Sequence, residues 1–141
     1  MSKETLIEAM NDQLAAEYQA IIQYMHYSAV VTGPHRPELV TFFRSEIPDE
    51  QGHAQYLADK IAALGGIPTT TPKPVAHETD ARAMLQQILE AETQAMAAYG
   101  RLIQLADAAG ETGIRIQMEN FLQDENSHRD ETQKILQGKW S

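Results

Sequence analysis

Apolar residues recur three and four positions apart over four long stretches of the chain, and turn-forming residues separate the stretches. In the first, Leu6, Met10, Leu14, Glu17, Ile21, Tyr24, Ser28 and Val31 share one helix face. The second places Leu39, Phe43, Glu46, Glu50, His53, Leu57, Ile61 and Leu64 on its face, and the third Leu85, Leu89, Glu92, Met96, Tyr99, Ile103 and Ala106. The fourth face carries Ile114, Met118, Phe121, Glu125, His128, Thr132 and Ile135. "GPHRP" stops the first stretch, Pro37 suits the first turn of the second, and Gly65-Gly66 ends it. Thr79 or Asp80 can cap the third, which stops at Gly110, and the fourth runs from Thr112 to Gly138. The pattern predicts helices over about 3–32, 37–64, 80–109 and 112–137, in one domain covering 1–141. No stretch alternates far enough to compete as a strand.

The connections are short, long and short. A short link makes an antiparallel helical hairpin, so the first two helices pair, as do the last two. The middle link, "GIPTTTPKPVAHE", cannot be helical and spans roughly 43 Å when extended. A helix over 37–64 is about 42 Å long, so this crossover can run the length of the bundle. The expected fold is an all-α four-helix bundle of two hairpins.

Each inward face is apolar at its ends and charged at its centre, which a plain bundle does not tolerate. Burying an ionised, unpaired carboxylate costs several kcal/mol at least, on the order of ~20 kcal/mol before relaxation. No Lys or Arg stands on these faces near the centre, so metal cations are the natural counter-charge. Glu50 with His53, and Glu125 with His128, are each three apart and leave their helix on nearly the same side. With Glu17 and Glu92 from the other two helices they make the donor set of a di-iron or di-manganese carboxylate bundle.

An internal repeat carries more weight than either Glu-x-x-His pair alone. Glu17, Tyr24, Asp49, Glu50 and His53 recur 75 positions on as Glu92, Tyr99, Asp124, Glu125 and His128. The two hairpins are therefore expected to be related by a pseudo-two-fold axis, with the metals near it.

Composition narrows the partners. Eleven Lys and Arg face 20 Asp and Glu, a net charge of -9, and the basic residues form no run, which argues against nucleic acid and anionic membrane. The absence of cysteine leaves metal binding to carboxylates and imidazoles. With no apolar leader or membrane-length segment, the chain reads as soluble and cytoplasmic.

Glu17, "DEQGH", Glu92 and "DENSH" resemble the ferritin-like superfamily, most closely its bacterioferritin and rubrerythrin branch, and "FFRSEIPDEQGH" is similar to the second-helix motif of bacterioferritins. The resemblance covers all four helices. It implies that Glu50 and Glu125 bridge two irons, that Glu17 and Glu92 are terminal ligands, that His53 and His128 bind one iron each, and that Fe(II) is oxidised with O2 or hydrogen peroxide. Haem-binding bacterioferritins have methionine where this chain has Gln51, so no haem is expected. The chain ends at "GKWS" soon after His128, without the fifth helix of ferritin cages, and outward apolar residues such as Ile22 and Met25 point to a homodimer instead. It also lacks the rubredoxin cysteines of rubrerythrins, and has Ala95 in place of their additional carboxylate.

Several residues keep two readings at this level. Pro48 inside the second helix either bends it one turn before Glu50 or breaks it in two. Tyr24 and Tyr99 either hydrogen-bond a carboxylate of a neighbouring helix or simply fill the core. Asp49 and Asp124, each four before a ligand histidine, can accept from the free imidazole nitrogen on their own or the facing helix, or stand in solvent. Glu46 maps onto Phe121 and breaks the symmetry; it is an outer ligand, an ion-entry residue or an exposed carboxylate. His26, His35 and His77 read as surface residues and the methionines as core. The functional expectation is a di-iron oxidase of ferroxidase or peroxidase type with two irons per chain. The alternative is a non-catalytic buffer of transition metal, since this donor set also holds manganese or zinc; a substrate oxygenase is a weaker third.

Overall fold

A computed structural model describes residues 2–140, so that Met1 and Ser141, the ends of the expected span, lie outside it. Four helices, α1 (Ser2–Val30), α2 (Arg36–Ala63), α3 (Ala81–Ala108) and α4 (Thr112–Gln137), form the bundle, with no strand among the described residues. α1 packs along α2 and α3 along α4, and the hairpins meet chiefly through α1 and α3, with α2 and α4 touching only sparsely. No helix is long and apolar enough to cross a membrane.

The helix ends follow from local chemistry. Asp80 caps α3 by accepting from the Ala83 N–H, satisfying one of the free amides of the first turn. Gly110 ends that helix at φ +74°, a left-handed conformation that costs a side-chain-bearing residue energy. After α2, Gly66 is required by space, because a Cβ there would meet the Ile7 side chain at 2.7 Å. α1 stops at Val30, where Arg36 donates to the carbonyls of Ser28, Ala29 and Val31.

The crossover lies against α1 and runs parallel to it. Asn11 donates to the Ile67 carbonyl and accepts from the Thr69 amide, Tyr18 donates to the Thr69 carbonyl, and the Lys73 amide donates to the Ala15 carbonyl. Further along, Tyr27 donates to the Ala76 carbonyl at 2.7 Å. These bonds satisfy a backbone with no helix or sheet to pair it.

The core is two apolar layers. One comprises Leu6, Met10 and Leu14 with Leu57, Ile61, Leu102, Met118 and Phe121; the other Tyr27, Val31, Leu39, Phe43, Met84, Leu85 and Ile88. Between them Glu17, Glu50, His53, Glu92, Glu125 and His128 are buried as a polar band. On α3 the buried face runs through Ile88, Ala95 and Leu102 and not through Leu89, Met96 and Ile103, which are partly exposed. Apolar residues stand side by side at each of those positions, and packing of α3 against both α1 and α4 selects the earlier one.

α2 is one continuous helix through Pro48, so the break does not occur. Pro48 and Gly52 both face solvent, and nothing lies within 4 Å of where a Gly52 Cβ would stand. Both lie on the exposed side of α2, away from the buried Glu50, where a missing amide and a missing side chain leave the apolar layers undisturbed.

Candidate metal centre

Helical spacing brings the charged residues of all four faces to one level. The Nδ1 of His53 lies 3.3 Å from Glu125, 3.7 Å from Glu17 and 3.8 Å from Glu50. The Nδ1 of His128 lies 3.4 Å from Glu50 and 3.9 Å from Glu125. Glu50 and Glu125 therefore each stand beside both imidazoles. Glu17, Glu50, His53 and Glu125 offer donor atoms within 4.8 Å of one another.

The outer nitrogens are held from the facing helix. His53 Nε2 pairs with Asp124 at 3.0 Å, and His128 Nε2 with Asp49 at 3.1 Å. In the neutral ring, the form that binds a cation, a carboxylate on Nε2 keeps the remaining proton there and turns the Nδ1 lone pair inward. Of the two histidine choices left open by the sequence, the facing-helix one is found.

Both tyrosines reach across the hairpins: Tyr24 donates to Glu92 at 3.0 Å and Tyr99 to Glu17 at 2.6 Å. Burial, followed by the nearby carboxylate charges, raises both phenols above their ordinary value, so they remain neutral donors. Replacing Tyr99 with phenylalanine is expected to weaken metal binding about 10- to 100-fold at the Glu17 half, with Tyr24→Phe acting on the Glu92 half. Competition titration against a chelating dye measures both.

The two halves differ around Glu46. Its Oε2 lies 2.7 Å from His128 Nε2, without the alignment of a hydrogen bond. Glu46, Asp49 and His128 make a second compact donor group, whereas Glu92 joins neither group and rests on Tyr24. At the position corresponding to Glu46, Phe121 lies over His53 with ring centroids 4.1 Å apart. Gln13 was not anticipated: it is buried and donates to Glu17 at 3.0 Å. Its position four residues before Glu17 was the available signal.

The donor chemistry fits a cation. Glu17 Oε2, Glu50 Oε1, Glu92 Oε1, Glu125 Oε1, His53 Nδ1 and His128 Nδ1 are all buried without a hydrogen-bond partner, one atom from each of the six residues. Native interiors rarely leave such groups unsatisfied. Carboxylate oxygens with imidazole nitrogens suit iron, manganese or zinc.

Without a cation, burial and mutual repulsion favour protons on part of the band. Burial, then the Glu17 and Glu125 charges, pushes Glu50 well above the usual carboxylate range, and burial raises Glu92 to about 8. Burial alone would lower His53, but Glu125 and Glu17 outweigh it and raise it to about 10. His128 is lowered by burial and raised more strongly by Glu46, reaching about 9. Glu17 moves the other way: burial opposes ionisation, and the closeness of His53 and Glu50 overcomes it.

Two openings reach the band. A cavity of about 240 Å³ between α1 and α3 is lined by Gln13, Glu17, Tyr24, Ala91, Glu92, Ala95 and Glu125. On the sparsely packed side, Pro48, Asp49, Gly52 and Asp124 line a depression beside His53.

The family model described as a ferritin-like domain matches residues 7–138. Among curated relatives, bacterioferritin of Streptomyces coelicolor is 32% identical, over 93% of this chain and 80% of its own. Bacterioferritin of Desulfovibrio desulfuricans is 27% identical, over 89% of this chain and 71% of its own. A crystal structure of a ferritin-like, diiron-carboxylate protein from Bacillus anthracis superposes with a TM-score of 0.94 at 41% identity, covering 96% of this chain and 98% of that one.

Proposed function

This chain belongs to the ferritin-like family, on its bacterioferritin branch, and we propose that it holds two irons and oxidises Fe(II) with O2 or hydrogen peroxide. Family and relatives support iron handling; the observation that carries the finer reading is the ring of six unpartnered donor atoms. Glu50 and Glu125 would be shared between the ions, Glu17 with His53 would complete one, and Glu92 with His128 the other. Bound iron supplies the electrons that reduce the oxidant.

The protein residues set the conditions for that chemistry. Four carboxylates favour the higher charge of Fe(III) over Fe(II). Asp124 and Asp49 keep the Nδ1 atoms directed inward, while Tyr99, Tyr24 and Gln13 hold the terminal carboxylates. The cavity between α1 and α3 provides the approach for a small oxidant, and the acidic side bearing Glu46 and Asp49 the approach for the cation. Nucleic acid is no part of this reading, given the net charge of -9.

Stopped-flow absorbance tests the proposal: protein carrying two Fe(II) per chain is mixed with O2 or with peroxide. Ferric absorbance is expected within seconds for at least one oxidant. A centre that stays ferrous for minutes with both establishes metal buffering instead.

Self-association belongs to the same reading. Ile22 and Met25 on α1 are 41% and 56% exposed, beside an apolar groove of Tyr18, Ile21, Thr70 and Pro72. A homodimer burying this strip is expected, and light scattering would give twice the 15.7 kDa chain mass. A mass near twelve chains would instead match the dodecameric bacterioferritin-related thioferritin of Bacteroides fragilis, which is 25% identical to this chain.

A further inference from the structure

His26 and His77, which stand far apart in sequence and outside the central band, meet at the junction of α1 and the crossover. His26 Nε2 lies 2.8 Å from His77 Nδ1, with the rings nearly perpendicular at 68° and their centroids 5.1 Å apart. Their sequence neighbours fix this approach. Tyr27, next to His26, donates to the carbonyl of Ala76, next to His77, at 2.7 Å. Gln19 holds the crossover through the Pro74 carbonyl, and the Lys73 amide does so through Ala15. The two imidazoles are thus carried on a long helix and on a strap bonded to it at several points.

The separation suits a shared ion. Imidazole nitrogens bind first-row ions at about 2.0–2.1 Å, which puts two adjacent donors roughly 3 Å apart around one ion. In the metal-free protein the two nitrogens share one proton as a hydrogen bond, which an ion would displace. The pair also faces solvent, so water can fill the remaining positions. A site of two nitrogens without a carboxylate prefers different ions from the glutamate-rich band, and affinity rises toward copper along the divalent series.

We propose that His26 and His77 form a surface site for a borderline divalent ion, with Cu(II) the tightest and Ni(II) or Zn(II) weaker, and that the ion clasps the crossover to α1. The inference does not depend on the chemistry assigned to the central band.

The test is titration of the full chain with Cu(II), followed by electron paramagnetic resonance, in the natural protein and in H26Q and H77Q. Glutamine preserves hydrogen-bonding capacity and removes the imidazole. The natural protein is expected to take up one more Cu(II) per chain than either variant, with that ion showing hyperfine splitting from two nitrogens. The central-band equivalents should be the same in all three. H77Q alters only the crossover, and circular dichroism checks that each variant keeps its helices. Equal copper uptake in the three proteins overturns the proposal, as does loss of the equivalent in only one variant.

Discussion

Glu50→Ala is expected to abolish binding of both proposed metal ions, and Glu125→Ala to do the same, whereas His53→Ala should weaken mainly one. The difference follows from position: Glu50 and Glu125 each stand within 4 Å of both inward imidazole nitrogens. On the proposed ligand set, removing either would take a shared oxygen from both ions and leave an unbalanced donor set. Titration of metal-free protein with Fe(II) or Co(II) counts the equivalents, with two expected for the natural chain and none for the glutamate variants. Retention of one full equivalent in Glu50→Ala would show that this carboxylate is not shared. Stability should move oppositely. Because burial raises the Glu50 carboxyl far above its ordinary range, the neutral Glu50→Gln is expected to stabilise the metal-free chain at neutral pH, by on the order of 1–4 kcal/mol.

Stability of the metal-free protein is expected to fall as pH rises from about 5 to 10, opposite in sign to ordinary acid denaturation. A group whose folded pKa is raised holds its proton more tightly in the native state, so its contribution is complete below the unfolded pKa and is lost through the folded one. Glu92, raised to about 8, loses its contribution between its ordinary value and pH 8. His53 and His128, raised to about 10 and about 9, lose theirs above pH 6.5. Glu50 adds to the fall, and Glu17, lowered, opposes it only at acid pH. Metal needs deprotonated ligands, so loading two ions at pH 7 should release roughly four protons per chain, and affinity should climb with pH. Thermal melts from pH 5 to 9 and proton uptake in unbuffered solution check the two halves. A metal-free melting temperature that rises across this interval contradicts the assigned protonation.

The fold was legible because two signals agreed: 3.6-residue periodicity within each segment and a short, long, short order of links between them. The central residues were legible for another reason, since glutamates on otherwise apolar faces require counter-charge, and the repeat tied distant ones together. What escaped was settled by packing across helices. Leu89 and Ile88 are equally apolar, and only the neighbours of α3 select Ile88. Gln13 looks like any polar helix residue until Glu17 is seen beside it. Glu46 broke the repeat in sequence, but its nearness to His128 depends on the spacing of α2 and α4. Pro48 was ambiguous because a proline on the solvent face of a helix costs less than one in the middle of the buried face.

The crossed contacts have a consequence for how this site is built. Tyr24 holds Glu92 while Tyr99 holds Glu17, and His53 meets Asp124 while His128 meets Asp49. Every such pair consists of one residue from each hairpin and has a mate with the roles exchanged. This is the reciprocity of an isologous interface, in which one patch meets its own copy. A single hairpin bearing one copy of the motif would hold half of every bond, and two identical hairpins would complete the set. Joining them in one chain keeps that economy and frees the copies to diverge. Glu46 against Phe121 marks one such divergence, giving one half an additional carboxylate and the other an aromatic ring over its imidazole.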